Sequence, residues 1–86
     1  MIIHIPKAVV EDVNVDWSEW CVLNDKIVYS SWSGSEQLNI HSTAFDDQLT
    51  SAYISAETPG EYFLTNKVYS AFGWPGECTL CIVVKQ

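Results

Sequence analysis

Three tryptophans, Trp17, Trp20 and Trp32, stand within sixteen residues of an 86-residue chain. Each indole needs a large apolar site and an acceptor for its N–H. The segment from Asp16 to Trp32 must therefore pack against whatever core the chain makes, and it anchors the fold. A chain of this length supports one small core of marginal stability, and a hydrophobic fraction of 48% is enough for one. Residues 1–86 are read as a single domain, with room for a binding module and little for an enclosed catalytic cleft.

No apolar period of 3.6 residues is sustained over helical length, whereas short β-branched and aromatic runs recur between turn signals. The chain is predicted to be all-β. Ile2–Ile5 forms a first short strand interrupted by Pro6, and Ala8–Val15 continues with Val9, Val13 and Val15 on one side. Asp16 and Ser18 supply acceptors that cap a single helical turn carrying Trp17 and Trp20. Lys26–Trp32 is the next strand, closed by Ser33-Gly34-Ser35. Gln37–Thr43 alternates Leu38 and Ile40 against Asn39 and His41, and Leu49–Ala56 places Ala52, Ile54 and Ala56 on one face. After the turn Thr58-Pro59-Gly60, the segment Glu61–Ala71 aligns Tyr62, Leu64 and Val68 with Asn66 between them. Gly73-Trp74-Pro75-Gly76 is the strongest turn signal, and Glu77–Lys85 sends Leu80, Ile82 and Val84 one way and Thr79, Cys81 and Val83 the other.

About seven short antiparallel strands at this spacing favour a sandwich over an open sheet. Gly60-Glu61-Tyr62 adds a detail, because a tyrosine just after a turn, entering the penultimate strand, matches the tyrosine corner of immunoglobulin-like sandwiches. The expected fold is an immunoglobulin-like β-sandwich whose core includes Trp32, Ile54, Tyr62, Leu64, Leu80 and Ile82.

With 4 basic and 11 acidic side chains the formal charge is −7, which repels phosphate backbones, so nucleic acid is not an expected partner. The N-terminal residues show no basic segment followed by a long apolar run, and no apolar stretch approaches membrane-spanning length. No membrane association is expected, and the chain is read as made in a cytoplasm. Three cysteines cannot all pair within one chain. Cys78 and Cys81 lie three apart on a strand and so on opposite faces, and no second pair completes a tetrahedral metal site. His4 and His41 are far apart, Asp46 and Asp47 form a solvated turn, and Ser30, Ser31, Ser33 and Ser35 have no nearby base in sequence. No enzyme, metal or cofactor is expected.

Asp16-Trp17-Ser18-Glu19-Trp20, then Asp25-Lys26-Ile27 with Ser30-Ser31-Trp32, then Gly60-Glu61-Tyr62 with Asn66, resemble in order a group of small tailed-bacteriophage virion proteins of the fibre–tail adaptor type. The resemblance covers roughly residues 12 to 85. It implies an immunoglobulin-like fold, no catalysis, residence in the tail or head–tail region of a virion, and contacts with other tail or fibre proteins in several symmetric copies.

The function expected from these features is a structural adaptor linking the tail or head–tail region to fibres. A soluble phage-encoded inhibitor of a host protein, a capsid decoration protein and a carbohydrate-binding sandwich are the alternatives. Trp74 lies in a turn-forming tip, where it either anchors a partner or folds back as a lid over the end of the core. Trp74, Cys81 and Val83 are taken together as a candidate apolar contact patch.

Overall fold

A computed structural model describes all 86 residues, in seven strands and no α-helix. The strands are β1 (Ile2–Pro6), β2 (Glu11–Asp16), β3 (Ile27–Gly34), β4 (Asn39–Phe45), β5 (Leu49–Ser55), β6 (Gly60–Ser70) and β7 (Pro75–Lys85). They form a four-stranded sheet in the order β1-β7-β6-β3 and a three-stranded sheet in the order β2-β5-β4. The two sheets face each other as an immunoglobulin-like β-sandwich. Alternation builds both: on β7 the side chains of Leu80, Ile82 and Val84 are buried, and on β5 those of Ala52 and Ile54.

The pairing departs from the expected all-antiparallel arrangement in one place, because β1 runs parallel to β7, with Ile3 opposite Ile82 and Ile5 opposite Val84. The chain enters along the free side of β7 and Pro6, which has no N–H to donate, ends the strand. β6 and β7 are also long, at 11 residues each. Pro75 and Gly76 lie inside β7, opposite Tyr69 and Val68, so the connection is shorter than the turn signal implied. Gly76 is required there by packing. A Cβ at that position would stand 2.9 Å from Trp20 Cζ2 and 3.0 Å from Trp17 Cζ3.

Of the expected core, Ile54, Tyr62, Leu64, Leu80 and Ile82 are buried, while Trp32 is only half-buried. The reason is position: β3 is an edge strand, so one flank of Trp32 has no neighbouring strand. Val9, expected inward, is exposed because β2 begins only at Glu11. The buried tryptophan is Trp17, on the turn after β2, with Trp20 packed edge-on against it at a ring separation of 5.2 Å. That turn forms as a single helical turn, the N–H groups of Trp20 and Cys21 both reaching Trp17 O, with Asp16 Oδ1 accepting from Ser18 N–H.

Trp17 carries a buried polar network across the sandwich. Its Nε1–H reaches Thr50 Oγ1 (3.1 Å) on β5 and Asn66 Oδ1 (3.0 Å) on β6. The Thr50 hydroxyl donates to Asn66 Oδ1 at 2.6 Å, and Asn66 Nδ2 donates to Ser30 Oγ and Ser31 O on β3. Asn66 and Thr50 have no exposed surface, and a buried amide without partners is strongly unfavourable. Here both ends of the amide are used. At the opposite corner the Tyr62 hydroxyl donates to Thr58 O at 2.5 Å, which is the tyrosine corner.

Replacing Asn66 with Ala removes one of the two acceptors of the Trp17 indole and the acceptor of the Thr50 hydroxyl, both in the interior. Asn66→Ala is expected to cost about 3 kcal/mol, a fall of roughly 12–24 °C in Tm for a domain of this size. A thermal melt showing a fall of only a few degrees contradicts the role given to the network.

Candidate functional site

Three connections meet at one end of the sandwich: residues 17–26 after β2, 46–48 between β4 and β5, and 71–74 between β6 and β7. Main-chain bonds stitch them together. Trp17 N–H donates to Gln48 O, Ile27 N–H to Asp47 O and Ala71 N–H to Lys26 O, all within 2.9 Å. The connections therefore form one surface with few independent motions.

Side chains fix the β6–β7 tip further. Asp25 Oδ1 accepts from Lys26 N–H (2.8 Å) and from Phe72 N–H (3.1 Å), crossing between two connections. Ser70 Oγ accepts from Trp74 N–H at 3.1 Å, and Gly73, at φ +91°, makes the left-handed step that only glycine takes freely. Burial disfavours charge on Asp25, but hydrogen bonds from the Ser70 side chain and from main-chain N–H groups outweigh it and hold the carboxyl below its ordinary range. Asp46 Oδ1 likewise caps the N–H groups of Gln48 and Leu49. Asp25 and Asp46 are thus structural acceptors of the turns that carry them. Cys21 lies among them, and desolvation followed by the nearby Asp25 and Asp47 charges pushes its thiol up, which keeps it protonated at neutral pH and a poor nucleophile.

The rigid frame holds apolar side chains out to solvent. Trp74 is 62% exposed, Phe72 58% and Leu23 87%, with Val22 beside it. Tyr29 and Tyr69, with rings 5.9 Å apart, continue the aromatic surface onto the outer face of the four-stranded sheet. Below them, Lys67 lies opposite both Ser31 and Glu77.

Trp74 is thus no lid over the core. It does not form one patch with Cys81 and Val83. Those residues, half-buried and on the outward face as alternation predicts, stand seven and nine positions further along β7. At the rise of an extended strand this is about 23 and 30 Å away. Their neighbours are Phe63 and Ile2 beside Cys81, and Glu61 and His4 beside Val83. Sequence reading missed Val22, Leu23 and Phe72. The signal available was the apolar pair Val22-Leu23 set directly against Asn24-Asp25, where a turn has no core to fill.

No protein-family model and no curated protein matches this chain. Among solved structures it is similar to the PKD domain from the KIAA 1837 protein, at 14% identity and a TM-score of 0.61, over 96% of this chain and 78% of that one. It is also similar to the cysteine protease inhibitor EhICP2 from Entamoeba histolytica, at 7% identity and a TM-score of 0.57, over 98% and 85% of the two chains. The likeness is one of fold. Neither neighbour is named for an enzymatic activity.

Because the folded state favours the Asp25 carboxylate, its contribution is present above the ordinary aspartate value of about 3.9 and is lost as pH falls below it. Protection of the Phe72 and Lys26 amides from hydrogen exchange, corrected for intrinsic rates, is expected to fall between pH 5 and pH 2.5. Asp25→Asn should start from lower protection and lose most of this pH dependence. An unchanged profile in that variant removes Asp25 from the frame of the tip.

Proposed function

We propose that this chain is a non-catalytic binding module that serves as a structural adaptor in a tailed-phage virion, joining the tail or head–tail region to fibre proteins. The observation that carries the binding role is the loop end: solvent-exposed Trp74, Phe72 and Leu23 on connections tied to one another by main-chain bonds. Tryptophan and phenylalanine are preferred interface anchors. A frame already ordered before binding loses little conformational freedom on association. The virion setting rests on the ordered motif resemblance, from Asp16-Trp17-Ser18 through Gly60-Glu61-Tyr62 to Asn66. A modest contact of this kind gains strength when repeated by identical copies in a symmetric assembly.

A second reading, a soluble inhibitor that blocks a host protein, is favoured by the likeness to the Entamoeba cysteine protease inhibitor. It uses the same loop end.

Mass spectrometry of purified virions separates the two. The adaptor reading expects the chain in mature particles at a fixed copy number. Trp74→Ala should reduce its incorporation about tenfold or more, roughly 1.4 kcal/mol per contact or above, while shifting the Tm of the isolated protein by less than about 2 °C, as befits an exposed position. Absence from particles together with one-to-one co-purification with a host protein supports the inhibitor instead.

A further inference from the structure

Each sheet of this sandwich ends in two edge strands, and the two sides of the molecule are protected very differently. On one side lie β1 and β2. β1 has five residues and ends in Pro6, and β2 carries Glu11, Asp12 and Asp16. Short length, proline and charge are the usual devices that stop an edge from accepting another strand. On the other side lie β3 and β4. β4 is interrupted by a register shift between Ile40 and Ser42. β3, Ile-Val-Tyr-Ser-Ser-Trp-Ser-Gly, contains no Asp, Glu, Lys, Arg or Pro, and its one irregularity falls at its start, between Ile27 and Tyr29.

The free side of β3 presents unpaired main-chain groups. Ser35 N–H bonds Phe63 O just beyond the strand. In an antiparallel ladder the residues bonded to the partner alternate with those directed away, so Ser30, Trp32 and Gly34 turn their N–H and C=O groups outward. Outside the ladders, the only main-chain bonds in this region lie at its ends, from Ile27 N–H to Asp47 O and from Ser35 N–H to Phe63 O. Trp32, which stands at this edge, also has the one buried side-chain polar atom without a partner, its Nε1. Native structures rarely leave such a donor unmet.

We propose that β3 is a docking edge for an extended segment of another protein, which adds as a fifth strand beside it. Only a polypeptide in extended form supplies alternating N–H and C=O groups at the spacing that Ser30, Trp32 and Gly34 require. The ends of the edge are net acidic, with Asp25, Asp46 and Asp47 outnumbering Lys26 near the start of β3 and Glu36 just past its end. A second copy of this chain pairing β3 with β3 in antiparallel fashion sets the acidic start of one strand against the Glu36 end of the other, where like charges repel. The occupant is therefore a partner segment that is uncharged and proline-free in the middle and carries Lys or Arg at its ends. This edge is distinct from the loop end that carries the proposed function and does not depend on it.

The test is selection of a displayed library of random ten-residue peptides on the purified domain, followed by synthesis of the best binder and amide hydrogen exchange with and without it. Selected peptides should be basic at their ends and lack proline centrally. The bound peptide should raise protection of the Ser30, Trp32 and Gly34 amides about tenfold or more. Ser33→Lys, which places a guarding positive charge on the exposed strand end, should weaken binding about tenfold, about 1.4 kcal/mol. Ser33→Glu should not weaken it. Trp74→Ala should leave peptide binding unchanged, so a failure here and a failure of the virion reading are told apart. The proposal is overturned if no binder emerges, or if binders protect the 71–74 tip in place of β3. It is equally overturned if the β3 amides become protected without peptide as protein concentration rises, which assigns the edge to a second copy.

Discussion

The contact among Trp17, Thr50 and Asn66 is where the two sheets, the loop end and the edge strand β3 all meet. Apolar burial alone holds sheets together without fixing how they sit, because hydrophobic contact is non-directional. A fully buried amide is directional and is unfavourable unless satisfied. Asn66, on β6, accepts from Trp17 and Thr50 on its oxygen and donates to β3 on its nitrogen. One side chain thus links β6 to β5 in the facing sheet, to β3 in its own sheet, and to the turn that starts the loop end. Gly76 belongs to the same arrangement, since the close approach of Trp17 and Trp20 leaves no space for a Cβ on that part of β7.

From this fixed point the loop end follows. Trp17 N–H holds the 46–48 turn through Gln48 O, that turn holds the start of β3 through Asp47 O, and Lys26 and Asp25 hold the β6–β7 tip. Exposed aromatic residues on such a frame are presented at positions set by the core. Three of the eleven acidic residues, Asp16, Asp25 and Asp46, serve as acceptors in these turns, so part of the charge of this end is tied to its rigidity.

The seven strands and the tyrosine corner were legible because alternation and turn chemistry are local signals. Tyr62, Leu64, Asn66 and Val68 share a face by counting alone. The helical turn at Trp17 was legible from Asp16 and the tryptophans behind it. What was hidden depended on which strands become neighbours. Trp32 has the composition of a core residue and lies on an edge, and its burial is decided by strand order, which alternation does not encode. The partners of Asn66 are 16 to 49 positions away along the chain. The patch expected from Trp74, Cys81 and Val83 failed on distance along an extended strand. Phe72 is a near neighbour in sequence, but Val22 and Leu23 come from a connection just over fifty positions earlier, brought alongside by hydrogen bonds to Asp25 and Lys26.

The most direct test of this account is hydrogen exchange of the four indole N–H protons, followed by nuclear magnetic resonance. Held by two acceptors in the centre of the sandwich, the Trp17 indole should exchange only through global unfolding, with a free energy equal to that from denaturant titration, while Trp74 exchanges at close to the free rate. A Trp17 indole that exchanges as fast as Trp74, or far more readily than global unfolding allows, contradicts the claim that this contact holds the fold.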